Sequence, residues 1–223
     1  HDDVMLESAT TSLQLHTQVP FDTAHHFYNA SIIASAAIVA SCANAPYLFG
    51  KNLWHESRIP LFEQAIETGG YGGAVHGPLK RVSFGSDFAR NSIMECFQEN
   101  LDHFPVLLPE LFNGPIEQFE HLRLHNGTIW RWNRPLIGFD DDNTPHIRIE
   151  HRTPSAGPTI IDSIANAAFY YGLTKNLSDE ITDQGLPLAF AQAKDNFYQA
   201  ARFGLDSNIV WFDGNKQNLQ KLI

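Results

Sequence analysis

His146-Ile147-Arg148-Ile149-Glu150-His151-Arg152 sorts its chemistry by parity. Read as a strand, successive side chains point to opposite faces, so Ile147 and Ile149 share one face while Arg148, Glu150 and Arg152 share the other. One face is dry and the other is charged. A carboxylate between two guanidinium groups is either ordinary solvated sheet surface or the floor of a site where Glu holds a cation and Arg holds phosphate or carboxylate. The flanking sequence bears on that choice.

Upstream, the Asp-rich turn Asp140-Asp141-Asp142-Asn143 lacks the Gly and distal Glu of a calcium loop. Before it, His121 to His125, the turn pair Asn126-Gly127 and Thr128 to Asn133 predict a hairpin, with Arg131 and Asn133 on one face of its second arm and Arg134 just beyond. Thr11 to Val19 alternates as another strand, placing Gln14, His16 and Gln18 together. Downstream, Gly157-Pro158 opens a predicted helix through Tyr171, with Ile160, Ile161, Ile164, Ala168 and Phe169 as its apolar stripe and Gly172 as its stop. A helix over Pro187–Phe203 ends at Gly204, and Ile209 to Phe212 reads as a final short strand before an Asp-Gly turn.

The N-terminal half contributes a small-residue helix over His25–Ala43, a loop over Tyr47–Ile59 containing Glu56-Ser57-Arg58, and an amphipathic helix over Asp87–His103. Between them, Glu67 to Gly85 is Gly-rich and reads as a loop or lid without the spacing of a P-loop. Strands and helices fall into separate groups, which predicts an α+β fold with a curved, mainly antiparallel sheet and helices packed on one face.

A chain of 223 residues supports one sizeable core. Its net charge of −10 disfavours nucleic acid and anionic lipid, leaving small molecules as the expected partners. The most apolar run, Ala30 to Ala43, is too short for the ~20 residues of a spanning helix. The cysteines, Cys42 and Cys96, form neither a disulfide framework nor a metal motif, which fits a reducing cytoplasm. No zincin spacing and no G-x-S-x-G occurs. The polar rows Gln14/His16/Gln18, Arg131/Asn133 and Arg148/Glu150/Arg152 would meet on one sheet face, where Arg suits phosphate oxygens and Glu150 with His16 or Gln14 suits a hard divalent ion. Patterning alone names no reaction.

The run Arg148-Ile-Glu150-His-Arg152-Thr-Pro, followed by Gly157-Pro158 and Asn166-Ala-Ala-Phe169, resembles the R-x-E-x-R strand and following helix of glutamine synthetase-like ligases. The whole chain is similar, in order, to carboxylate-amine ligases that include the plant and bacterial second type of glutamate-cysteine ligase. Ser12-Leu-Gln14-Leu-His16, Asn44-Ala-Pro46-Tyr, Ser57-Arg58, Trp130-Arg-Trp132-Asn-Arg134-Pro and Ala201-Arg-Phe-Gly204-Leu-Asp206 carry the likeness. The resemblance implies a glutamine synthetase-like catalytic domain that uses ATP and Mg²⁺ to activate a carboxylate, typically the γ-carboxyl of glutamate, for attack by an amine such as that of cysteine. It also implies roles. Glu150 and Gln14 would ligate metal, Arg148, Arg152 and Arg131 would act on the reacting groups, His16, Arg131 and Arg134 would hold nucleotide, and Arg58 would meet substrate. Gln14 stands where many members carry His. The family's Glu-rich first strand precedes the residues here, so residues 1–223 are expected to be the C-terminal part of the catalytic domain, inactive in isolation. A non-catalytic binding module of the same fold and a guanidino-kinase-like phosphotransferase are the alternatives, and an oligomer is compatible with either.

Overall fold

A computed structural model describes residues 4–66 and 80–223. Its centre is an antiparallel sheet of three strands, β1 (Leu15–Val19), β6 (Asn133–Phe139) and β7 (Pro145–His151), in the order β1-β7-β6. Short pairs surround it. They are β2 (Tyr47–Leu48) with β3 (Lys51–Asn52), β4 (Val82–Ser83) with β5 (Trp130–Arg131), and β8 (Asn208–Val210) with β9 (Lys216–Asn218). Among the described strand pairs only β4 and β5 run parallel. Among the described residues the six α-helices are α1 (Ala24–Ser41), α2 (Arg58–Ala65), α3 (Met94–His103), α4 (Glu120–Gly127), α5 (Ile160–Gln184) and α6 (Phe190–Phe203). The molecule is thus α+β with a mainly antiparallel sheet.

Register does the sorting. His16, Glu150 and Arg134 stand directly opposite one another across β1, β7 and β6, as do Leu15, His151 and Asn133 one position along. Successive residues alternate faces, so His16, Gln18, Arg134, Arg148 and Glu150 share a face and Val19, Ile147, Ile149 and Ile137 share the other. The apolar face packs on α1, whose Ala, Ser and Ile side chains are buried nearly all round between the sheet, α5 and α6. Small residues let the helix axis approach the sheet and both neighbouring helices closely. That sandwich is the core.

Several expectations are corrected. The predicted hairpin over residues 121–133 is instead α4 followed by β5. Glu120, Leu122, Arg123 and Leu124 are good helix formers with no β-branched residue among them, and buried Asn126 donates to Pro135 O (2.9 Å) and accepts from Asn100 (2.9 Å) rather than making a turn. The true hairpin is β6–β7, closed by Asp140–Thr144. Helix α3 begins only at Met94. Helix α5 runs through Gly172 to Gln184, because its buried face is Tyr170, Thr174, Leu177, Ser178 and Ile181. The predicted stripe of Ile160, Ile161 and Ile164 is exposed. Thr159, not Pro158, starts the helix through a capping box with Asp162. The loop over Tyr47–Ile59 contains the β2–β3 hairpin and the start of α2. Most of the Gly-rich run lies outside the described residues.

Candidate active site

Glu150 sits at the centre of the polar face, its side chain only 4% exposed. A solvated surface row would leave this carboxylate in water, whereas burial obliges it to be paired. Arg134 Nε donates to Oε2 at 2.8 Å and Arg152 Nε lies 3.7 Å from the same oxygen. His16 Nε2 stands 3.5 Å from Oε1. The two carboxylate oxygens therefore face different chemistry: Oε2 the guanidinium groups, Oε1 the imidazole. His16, about one-third exposed, forms the open side of the cluster.

Each cation is held differently. Arg134 also donates to Ile129 O (3.3 Å), which fixes it beneath the chain linking α4 to β5. Arg152 follows β7, lies over the Phe62 ring of α2, and has buried Nε and Nη1 without hydrogen-bond partners among the described residues. Burial pulls its pKa down to about 10, against the pull of Glu150, so it stays charged at neutral pH. Arg148 is half-buried, and its Nε lacks a partner among the described residues. Arg134 and Arg152 share the Glu150 carboxylate, Arg152 also feeling Glu7, and Arg148 stands on the same face. The grouped guanidinium charges, with donors unpartnered among the described residues, suit an anion with several oxygens, such as phosphate.

The remaining donor geometry fits part of a divalent-ion site. Desolvation, with help from the neighbouring arginines and against Glu150, lowers the His16 pKa and keeps the imidazole neutral, as ligation requires. Two atoms on one small hard ion lie roughly 3 Å apart, close to the 3.5 Å between His16 Nε2 and Glu150 Oε1. A Mg²⁺ ion characteristically takes one or two protein carboxylates and completes its shell with water and substrate phosphate. No cluster of three or more His, Cys, Asp or Glu that could hold a metal occurs among the described residues. Gln14 lies exposed one residue before β1.

Two predicted residues are engaged elsewhere. Arg131 is buried on β5, with Nη2 2.9 Å from Glu99 and donating to Asn100 at 2.9 Å, so its guanidinium serves the contact with α3 rather than Glu150. The expected Arg131/Asn133 row fails because Trp132 separates β5 from β6 and Asn133 faces α1, where it donates to Ser35 at 2.9 Å. Arg58 is buried as well. Its Nε pairs with Glu56 at 3.3 Å, its terminal nitrogens donate to Arg152 O and Thr153 O, and its charge lies 5.2 Å over Trp132. It anchors the strand exit beneath the cluster.

The family model for glutamate-cysteine ligase family 2 matches residues 1–223. The chain belongs to glutamate-cysteine ligase family 2. No curated protein matches it. Membership of glutamate-cysteine ligase family 2 makes the chain a ligase of that type, with small-molecule substrates. Among the described residues no helix is long and apolar enough to cross a membrane.

Some of the site's framework has little local signature in the sequence. His151 shares parity with Ile147 and Ile149, which was the available signal that it enters the core. Glu63 accepts from Trp132 Nε1 (2.8 Å) and Tyr198 OH (2.7 Å), and burial raises its pKa. No sequence pattern joins residues so far apart.

Proposed function

We propose that the polar face of β1, β7 and β6 is the site of an ATP-dependent carboxylate-amine ligase that activates the γ-carboxyl of glutamate as an acyl phosphate for attack by an amine such as that of cysteine. The observation that carries this reading is the His16–Glu150–Arg134 row, with the Glu150 carboxylate buried at its centre and Arg148 and Arg152 on its flanks. Glu150 holds Arg134 and Arg152 in place, and their guanidinium groups, with Arg148, face the oxygens on which charge grows during transfer. Such preorganised donors favour the transition state because they need no reorientation as charge develops.

His16 and Glu150 Oε1 would hold the magnesium ion, with Gln14 as a further oxygen donor from the open side. When bound, Mg²⁺ supplies charge neutralisation on the nucleotide phosphates. Arg58 supports the site through the backbone of Arg152 and Thr153, and Arg131 supports it through β5. The free, buried thiols of Cys42 and Cys96 accord with a cytoplasmic setting.

ADP release by the full-length protein in the presence of glutamate and a panel of amines including cysteine tests the reading. The expected result is glutamate-dependent ADP and phosphate formation with an amide product. Arg148→Met should lower kcat by about 100-fold or more while leaving the circular dichroism spectrum intact. Absence of glutamate stimulation with every amine would sink the ligase assignment, and a phosphorylated acceptor without free phosphate would replace it with a kinase.

A further inference from the structure

Behind Glu150 lies a closed polar network on the opposite face of the same strand. His151 is fully buried, and its ring stacks on Tyr170 of α5 at 4.2 Å and 12°. Its Nδ1 lies 2.6 Å from Asn133 Oδ1 and its Nε2 lies 2.7 Å from Thr153 Oγ1. Asn133 Nδ2 donates to Ser35 Oγ at 2.9 Å, and that hydroxyl donates to Ser31 O at 2.7 Å. Tyr170 OH meets Ser31 Oγ at 3.0 Å. One imidazole therefore connects α1, α5, β6 and the end of β7.

The proton positions follow from the chain of partners. Ser35 gives its hydrogen to Ser31, so it accepts from Asn133, and Asn133 turns its oxygen to His151. His151 must then donate through Nδ1 and accept the Thr153 hydroxyl at Nε2. The imidazole is neutral in this arrangement, in keeping with its burial and the nearby Arg58 charge. An apolar side chain would fill the volume but fix no direction. Hydrogen bonds at both ring nitrogens fix the ring, and with it the backbone rotation of the two residues that flank it, Glu150 and Arg152.

We infer that His151 is a positioning residue whose two hydrogen bonds, to Asn133 and Thr153, orient the Glu150 carboxylate toward Arg134 and His16 on the other face. The inference rests on the ligase reading for its kinetic consequence but not for its structural one. Thr153→Val deletes the hydroxyl at nearly constant volume, Thr153→Ser restores it, and His151→Phe keeps the stacked ring while removing both bonds.

The test is a ¹⁵N NMR comparison of the full chain and these variants, reading the Arg134 Nε–H signal as a marker of the bond to Glu150 and the Trp132 Nε1–H signal as a control for the fold. In Thr153→Val and His151→Phe the Arg134 signal should move toward that of free arginine while the Trp132 signal stays. Thr153→Ser should match the wild type. In the same variants of the full-length protein, kcat for glutamate-dependent ADP release should fall at least tenfold with Thr153→Val and stay within twofold with Thr153→Ser. An unchanged Arg134 signal in Thr153→Val overturns the inference whatever the activity. Should His151→Phe not fold, the Thr153 pair decides alone. A full-length wild type without glutamate-dependent turnover defeats the ligase reading and leaves the NMR comparison to decide the positioning role.

Discussion

Glu150 is a single carboxylate asked to balance several cations in a space nearly closed to water. Glu150→Gln keeps its shape and removes its charge, leaving Arg134 and Arg152 without the carboxylate that pairs them. The expected cost is about 3 kcal/mol, a fall in melting temperature of roughly 6–12 °C by calorimetry, with loss of turnover. His151 makes a separate claim about pH. Its folded pKa is held down at about 3 against 6.5 for the free side chain, because burial disfavours the charged ring. Between those values the unfolded chain binds a proton that the folded chain refuses. The stability contribution is therefore full above pH 6.5 and is lost as pH falls toward 3. Urea melts across that interval should show stability falling by up to about 1.4 kcal/mol per pH unit, with that component missing in His151→Phe.

At the scale of elements, the alternation of Ile147 and Ile149 against Arg148 and Glu150 was readable because a half-buried strand repeats every two residues. The helix over residues 24–41 and the Gly204 cap were legible for similar local reasons. The segment over residues 120–127 was not. Its alternate Leu122 and Leu124 imitate a strand, while helix propensity and the burial of Asn126 between Asn100 and Pro135 decide otherwise. Helix α5 was cut short for a related reason: a glycine signals a stop only when nothing beyond it is worth burying. Gly172 is exposed and a β-carbon there would meet nothing within 4 Å. Gly172→Ala should therefore stabilise the protein by about 0.5–1 kcal/mol, measurable as a raised urea midpoint at constant slope. The chemistry was legible to the same limited degree. Parity grouped Arg148 with Glu150, but the engagement of Arg58 with Glu56 and of Arg131 with Glu99 depends on distant segments meeting.

For the whole molecule, α1 is the element that every layer touches. It contacts the sheet through Ser35, α5 through Ser31 and α6 along its alanines, and Ala34 and Ala36 have essentially no exposed surface. A larger side chain has no direction in which to expand. Ala34→Leu is expected to destabilise by about 1–3 kcal/mol through overpacking, lowering the melting temperature by roughly 2–12 °C in a domain of this size. Because the sheet's polar rows stand on the opposite side of the same strands, the variant should also impair turnover below its melting temperature.

Trp132 joins these scales. Of the four tryptophans it alone is fully buried, with its indole N–H on Glu63, its ring under the Arg58 charge, and its carbonyl accepting from Arg152 N–H at 2.9 Å. An indole in that environment emits at short wavelength, and its emission responds to any shift of the charge above its ring. The protein thus carries its own optical sensor directly behind the site: an anion that draws Arg152 outward would shift the carbonyl to which Arg58 donates, and through Arg58 change the colour and yield of Trp132 fluorescence, allowing ligand occupancy to be titrated without a label.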